Sequence, residues 1–368
     1  MQADSIFKRM VDQKASDLFL KAGTQPFLRV RGELTACRDN PITEEELLSI
    51  VQELMGPARR KLFESQRELN FAFERDGIGR FRANVMWQQG TLGLVVRRVQ
   101  DQIPTLEELN LPAPLLKQLC QETHGLLLIT GPTGNGKSTT SASLLDQINR
   151  TRACHVVTLE DPVEYIFRQK MSVIDQREVG VDTASFQEGL KNALRQSPDV
   201  LFISDIRDQE TMETALLAAE SGQWVISCIH TTSAVTTIER IVAFFPRHQQ
   251  ETVRFRLSMV LKGIVSLRLL PRLDVIGQIP ACEILIMTPT IRELLREGET
   301  GQIPHLLFDG SMHGMQTMAQ ALYRLIQESK VSLEEAKKVA DSPEELELAI
   351  REIRSGKTVR YDTRTRAA

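Results

Sequence analysis

The sequence predicts an α/β protein: an amino-terminal α+β module, a larger domain built on a mostly parallel sheet, and a helical carboxyl-terminal region. Short apolar runs separated by helix-length intervals predict the sheet, and they lie at residues 126–130, 156–159, 200–203 and 225–229. Such spacing is typical of parallel strands with helices on both faces of the sheet. Helical periodicity over the last seventy or so residues predicts the carboxyl-terminal region, which ends in a charged tail.

The composition is that of a globular protein with an ordinary core. The chain has 368 residues, 42% of them hydrophobic and 25% charged, and a length prior of about 150 residues per domain favours two domains. The formal net charge of −3 provides no overall attraction to nucleic acid or to an anionic membrane. A partner of either kind would therefore need a local patch.

The cysteines and the amino-terminal segment favour a cytoplasmic location. The five cysteines are odd in number, scattered and never in a C-x-x-C pair, which supports neither a disulfide framework nor a thiolate zinc site. The polar start lacks the apolar core of a signal peptide, and no apolar stretch approaches the roughly 20 residues that span a bilayer.

Residues 1–100 are predicted to form the α+β module. A helix is expected to begin at Thr43, whose side chain can cap it while Glu46 completes a capping box. The strictly alternating residues 79–85 predict a strand with one packed face and with Arg80 and Arg82 on the other. These two guanidinium groups are candidates for contacting phosphate, and a solvated strand face is the alternative.

A proline-punctuated stretch separates this module from the larger domain. It reads as a linker over residues 101–122 with a short helical turn inside it. The expected divisions are therefore 1–100, the linker, a core at 123–290 and a helical region with its tail at 291–368.

The strongest motif is a phosphate-binding loop, Gly131-Pro-Thr-Gly-Asn-Gly-Lys-Ser138, between a predicted strand and a predicted helix. Its glycines let backbone N–H groups face phosphate, Lys137 can reach the terminal phosphates, and Ser138 can bind Mg²⁺. The predicted nucleotide-binding residues are Gly131, Thr133, Gly134, Asn135, Gly136, Lys137, Ser138 and Thr139. Since no Asn-Lys-x-Asp guanine-reading motif follows, ATP is preferred over GTP.

Polar side chains follow the next three predicted strands, at the edge where doubly wound sheets bind ligands. Carboxylates of the run 160–164, with Glu164 at its end, can position water or the water shell of Mg²⁺, and Asp205 is a candidate Mg²⁺ ligand, directly or through water. His230 can sense the γ-phosphate. The alternatives are a solvated acidic loop, an ordinary strand end with Asp208 capping a helix, and a structural histidine.

With these elements placed, the chain resembles the PilT/PilU family of type IV pilus retraction ATPases, within the secretion ATPase superfamily. The resemblance covers nearly the whole chain and includes the phosphate loop. The other matching segments are 15–18, 77–82, 103–112, 160–164, 205–208, the segment ending at His230, and 314–318.

The resemblance implies a PAS-like amino-terminal domain, a RecA-like ATPase domain and a homo-hexameric ring with nucleotide between subunits. It implies ATP hydrolysis with Mg²⁺, coupled to pilus retraction and twitching motility at an inner-membrane platform protein, and no nucleic-acid partner. In the family pattern Glu164 orients water and His230 is the sensor. Arg80 and Arg82 suit the role of arginine fingers.

Three departures from the family pattern favour the accessory, PilU-like branch, which would act beside a PilT-type paralogue. Asp205 stands where a longer glutamate is usual, Gln223 replaces a histidine, and Trp87-Gln-Gln-Gly90 replaces a segment that carries an arginine. The first shortens a carboxylate by one methylene, and a misplacement of about an ångström can cost on the order of a hundredfold in rate.

Other functions stay open at this point. One is a nucleotide-binding regulatory or scaffold subunit with little turnover. Another is a type II secretion or pilus assembly ATPase, although the long amino-terminal extension and the four-cysteine zinc element of that branch do not occur in this sequence. A nucleic-acid motor is disfavoured because the chain lacks a basic stripe with interleaved aromatic residues.

Overall fold

The structure is a computed structural model that describes residues 2–30, 32–99, 102–310, 314–340, 342–344, 346–347 and 350–351. The chain divides into two compact units: residues 1–102 together with 164–166, and residues 103–163 together with 167–368. The charged tail expected at 357–368 lies outside the described residues.

The first unit is a twisted antiparallel sheet with helices. Its described elements are α1 (Gln2–Asp12), β1 (Asp17–Lys21), β2 (Phe27–Val30), β3 (Glu33–Ala36), α2 (Glu44–Gln66), β4 (Glu68–Arg75), β5 (Gly79–Gln88) and β6 (Thr91–Arg98). Within the described residues six strands form the sheet in the order β3-β2-β1-β6-β5-β4. The apolar faces of α1 and α2 join one core with the inward residues of the sheet.

The alternation predicted for β5 is confirmed. Phe81, Ala83 and Val85 are 0%, 2% and 0% exposed, whereas Arg80 and Arg82 on the other face are partly exposed. Side chains of a strand point alternately to opposite faces, so the sequence pattern decides which face packs.

Helix α2 begins as predicted but departs from the expected capping box. The Thr43 hydroxyl accepts the backbone N–H of Glu46 at 3.1 Å, while the Glu46 carboxylate binds Arg38 at 2.8 and 2.7 Å. An arginine fork satisfies both carboxylate oxygens, which outcompetes one backbone N–H. The helix also kinks at Gly56, which has a φ of 63° and is followed by Pro57.

The second unit carries the parallel sheet that the sequence predicts. Its strands are β7 (Gly125–Thr130), β8 (His155–Glu160), β9 (Val173–Glu178), β10 (Val200–Ile203), β11 (Trp224–Ile229), β12 (Leu261–Pro271) and β13 (Gln278–Ile286). In the described part of this unit seven strands lie in the order β13-β12-β7-β11-β10-β8-β9. Among the pairings of these seven described strands, only that of β12 with β13 is antiparallel.

Helices cover both faces of this sheet. They are α3 (Ala113–Leu119), α4 (Lys137–Thr151), α5 (Phe186–Ala193), α6 (Gln209–Glu220), α7 (Ala234–Ala243), α8 (Gln250–Val260), α9 (Pro289–Glu297), α10 (Ile303–Asp309), α11 (Met318–Gln327) and α12 (Leu333–Val339). Leu126 and Leu128 of β7 pack with α5 to α9, whereas Leu127 and Ile129 pack with α3 and α4. A central parallel strand is buried on both faces, hence its continuous apolar run.

The stretch expected as a linker differs from a simple connection. From residue 103 onward it belongs to the second unit, and Leu106, Leu111 and Leu116 are 1%, 6% and 0% exposed in the core beside α4. Leucines among the prolines give this segment an apolar face. The free energy gained by burying that face exceeds the conformational entropy lost when the segment is ordered. Among the described helices, none is long and apolar enough to cross a membrane.

Candidate nucleotide site

The four predicted strands end together at one edge of the second sheet. Thr130 of β7 pairs with Ile229 of β11, and Ile203 of β10 pairs with both β11 and β8. Parallel strands in register present their carboxyl ends side by side. The residues that follow them, including the phosphate loop, Asp205 and His230, therefore meet at this edge.

The phosphate loop needs its glycines. Gly134 and Gly136 have φ values of 81° and 83°, a region that residues with a Cβ rarely adopt. A Cβ on Gly131 would lie 2.7 Å from the carbonyl oxygen of Leu267 on β12, a distance that forces the backbone to move. Gly136 is the N-cap of α4, and the amino-terminal end of a helix favours an anion.

Asn135 attaches the loop to the neighbouring strand. Its Oδ1 accepts the backbone N–H of Leu269 on β12 at 2.8 Å. Just before the loop, the hydroxyl of Thr130 donates to that of Ser266 on β12 at 2.8 Å. The loop is thus held from the side by β12, a strand that the sequence did not lead us to expect there.

Lys137 is only 8% exposed, and its ammonium group lies inside the curve of the loop. Its Nζ donates to the carbonyl oxygens of Gly131 at 2.8 Å and Pro132 at 3.1 Å. The same Nζ lies 3.1 Å from Nδ1 of His230. Because an ammonium group can only donate, Nδ1 is the acceptor of this pair.

His230 connects the loop to Asp205. With Nδ1 accepting from Lys137, the proton of the neutral ring is on Nε2, which lies 3.2 Å from Oδ2 of Asp205. The Nε of Arg207 donates to the same oxygen at 2.7 Å, and this contact raises the pKa of Arg207. The four side chains form one polar chain from β10 to the phosphate loop.

The other oxygen of Asp205 fits a role in binding Mg²⁺. Asp205 is 6% exposed, and among the described residues its buried Oδ1 has no hydrogen-bond partner. A buried carboxylate oxygen is costly to leave unsatisfied, and carboxylates and hydroxyls are the ligands Mg²⁺ takes. The residues present therefore fit the cation, with Asp205 and Ser138 as the groups that would hold it directly or through water.

Glu160 is one of the carboxylates that the sequence predicts at this edge of the sheet, with no separate role assigned to it. It ends β8, is 5% exposed, and its Oε1 accepts the Thr158 hydroxyl at 2.6 Å and the Gln176 amide at 3.0 Å. Glu160 thus closes a buried apolar run as a carboxylate, the same pattern that pointed to Asp205.

Three predicted catalytic residues are grouped with the first unit, whereas this polar chain belongs to the second. Glu164 is exposed on the loop after β8, and it is grouped with the first unit. Arg80 and Arg82 lie on β5 of the first unit. Their roles stay predictions.

Gln223, one of the departures from the family pattern, lies far from the phosphate loop. It precedes β11 at the opposite edge of the sheet, where its carbonyl oxygen accepts the backbone N–H of Gly125 at 3.0 Å. The length of β11, at about 3.3 Å per residue, places it roughly 20 Å from His230. Of the departures in this unit, only Asp205 therefore touches the site.

The chain is similar to proteins of one family over nearly its whole length. Residues 3–364 match the family of Type II/IV secretion system proteins. The type IV pilus ATPase PilU of Pseudomonas aeruginosa is 38% identical over 351 residues, which are 95% of this chain and 92% of that protein. The type IV pilus retraction ATPase PilT of the same organism is 39% identical over 332 residues, 90% of this chain and 96% of that protein.

A solved structure supports the same assignment. A crystal structure of the pilus retraction motor PilT with bound ADP has a TM-score of 0.87 and 43% identity, covering 94% of this chain and 98% of the PilT chain. The predicted fold class, an amino-terminal domain followed by a RecA-like ATPase domain, is thereby confirmed. The chain belongs to the Type II/IV secretion system protein family and, within it, to the group of type IV pilus ATPases that includes PilT and PilU.

Proposed function

We propose that this protein is an ATP-hydrolysing motor that powers or assists the retraction of type IV pili. The observation that carries the proposal is the chain of contacts from Lys137 through His230 to Asp205 beside the phosphate loop. Relatives that are pilus ATPases, one of them solved with ADP, support nucleotide as the ligand.

The site suits phosphoryl transfer, which asks a protein mainly for positioning and charge neutralisation. The loop N–H groups and Lys137 bind the phosphates, and His230 fixes the ammonium group relative to Asp205. Mg²⁺, held by Ser138 and Asp205, would neutralise charge on the terminal phosphates. Glu164 orients the attacking water. Glu160, held by Thr158 and Gln176, supports the end of β8 from which the loop with Glu164 starts.

The working assembly in this proposal is a homo-hexameric ring. Arg80 and Arg82 of one subunit then reach the nucleotide held by its neighbour, as arginine fingers do in other nucleotide hydrolases. The ring works in the cytoplasm against a platform protein of the inner membrane. Nothing in this function requires nucleic acid.

The accessory, PilU-like role is the finer part of the proposal. Its support is Asp205, since the carboxylate that faces the cation is shorter than the usual glutamate and is already engaged by His230 and Arg207. Slow or partner-dependent hydrolysis follows if this carboxylate is misplaced. A regulatory subunit with little turnover is the second candidate, and it rests on the same residue.

Steady-state ATP hydrolysis by the purified chain tests both candidates, with and without a PilT-type partner. Lys137→Ala is the loss variant, Lys191→Ala on the exposed side of α5 is its matched control, and Asp205→Glu restores the longer carboxylate. A motor shows turnover that Lys137→Ala abolishes and Lys191→Ala preserves. An accessory motor gains turnover from the partner or from Asp205→Glu. If the chain binds nucleotide but shows no turnover under any of these conditions, the result would favour the regulatory subunit over the motor.

A further inference from the structure

One end of the first unit combines exposed apolar side chains with basic residues. Beyond the kink at Gly56, the last turns of α2 expose Arg60, Lys61 and Leu62, and Arg67 follows the helix. Trp87 near the end of β5 contacts this end of α2 through Phe63 and the Arg67 backbone. We call Arg60, Lys61, Leu62, Arg67 and Trp87 the basic-aromatic patch.

The patch is held together by contacts that leave its outer side open. The Trp87 ring stacks on Phe63 of α2 with centroids 6.2 Å apart and planes 11° apart. The backbone N–H of Trp87 donates to the Arg67 carbonyl oxygen at 3.2 Å. Trp87 nevertheless keeps 40% exposure and Leu62 keeps 45%. The two apolar side chains therefore present contact area beside the basic residues of the patch.

The basic residues of the patch differ from others in the same unit. Arg38, Arg75 and Arg97 each form an ion pair with a carboxylate. In the part of the chain that the structure describes, the side chains of Arg60, Lys61 and Arg67 form no ion pair. Their charge is available to an outside partner, and it exceeds that of the two exposed glutamates of the same segment, Glu64 and Glu68.

From this combination we infer that the basic-aromatic patch binds the surface of an anionic lipid bilayer. Tryptophan favours the boundary between headgroups and acyl chains, a leucine beside it adds apolar area, and unpaired Lys and Arg are attracted to anionic headgroups. The inference shares no residue with the phosphate loop. It adds to the proposed motor a direct contact with the membrane that does not pass through a partner protein.

Vesicle binding by the full chain tests the inference, with vesicles of phosphatidylcholine alone and of phosphatidylcholine mixed with phosphatidylglycerol. Co-sedimentation is expected only with the anionic vesicles and should weaken as salt is added. The chain has two tryptophans, and Trp224 is 0% exposed. A blue shift of tryptophan emission on vesicle binding therefore reports Trp87.

Two variants and a matched control distinguish binding through this patch from non-specific binding to vesicles. Arg60→Gln with Lys61→Gln should weaken binding by roughly tenfold or more, and Trp87→Ala should weaken it and remove the blue shift. Lys337→Gln with Lys338→Gln is the control, because those lysines pair with Glu347 and Glu335, and it should bind as the unaltered chain does. Circular dichroism checks that each variant is folded.

Three outcomes would overturn the inference: equal binding to neutral vesicles, patch variants that bind like the unaltered chain, or equal loss in the control. A change in the oligomeric mass of the patch variants without vesicles, together with unchanged vesicle binding, would instead assign the patch to contacts between copies of this chain. Hydrolysis by the phosphate loop is measured separately, so failure here does not bear on the motor.

Discussion

Removal of the Asn149 side chain should destabilise the second unit and slow its chemistry. Asn149 on α4 is 0% exposed. Its Nδ2 donates to the Arg168 carbonyl oxygen at 2.8 Å, and its Oδ1 accepts the backbone N–H groups of Lys170 at 3.0 Å and Ser172 at 3.4 Å. One side chain thus holds the returning end of the loop that carries Glu164.

The magnitude follows from these three bonds. At about 1 kcal/mol each, with buried partners left unsatisfied, Asn149→Ala should lower the free energy of unfolding by about 3 kcal/mol. For a unit of this size that corresponds to a fall in Tm of roughly 6–12 °C. Because the loop also carries Glu164, kcat should fall while nucleotide affinity stays near that of the unaltered chain.

Calorimetry and steady-state kinetics measure the two effects. Asn192→Ala is the matched control, since Asn192 is exposed on α5 and makes one bond, to the Glu188 carbonyl oxygen at 2.9 Å. Surface changes of this kind stay within about 0.5 kcal/mol. A Tm for Asn149→Ala equal to that of the control would refute the reasoning.

Three further predictions concern single positions. Gly131→Ala should abolish nucleotide binding in a fluorescent-nucleotide titration, because its Cβ meets the Leu267 carbonyl oxygen at 2.7 Å; unaltered affinity would contradict this. Gln223→His should leave kcat unchanged, and a clear gain in turnover would show that the far edge of the sheet matters. Arg38 lowers the pKa of Glu46 in the folded protein, so this contact stabilises above the ordinary pKa of 4.5 and is lost as pH falls through the lowered value. Glu46→Gln should therefore cost about 1 kcal/mol of unfolding free energy near pH 7 and much less at strongly acidic pH, and an equal cost at both would contradict the assignment.

The parts of the fold that depend on local pattern could be predicted from the sequence. The runs that became β7, β8, β10 and β11 are apolar on both sides, and the glycine spacing of the phosphate loop dictates its own conformation. The capping side chain of Thr43 was equally readable. Each of these features is decided by neighbours a few residues away.

The rest depends on contacts between distant segments. Strand β12 lies beside β7 through pairing between residues more than a hundred positions apart. No short sequence pattern predicts this pairing. The contact of Lys137 with His230 likewise joins residues 93 positions apart. The prolines at 104, 112 and 114 suggested a linker, yet the leucines between them decided the outcome by entering the core.

The two ends of strand β11 lie in different surroundings, so substitutions at them should have different effects. His230 follows its carboxyl end, within reach of phosphate, whereas Gln223 precedes its amino end, roughly 20 Å away. Substitutions at the first end are expected to change the rate of a chemical step, whereas those at the second end change contacts between the starts of β11 and β7. A substitution at Gln223 can thus change the contacts at the start of β11 without touching the residues beside the phosphate loop.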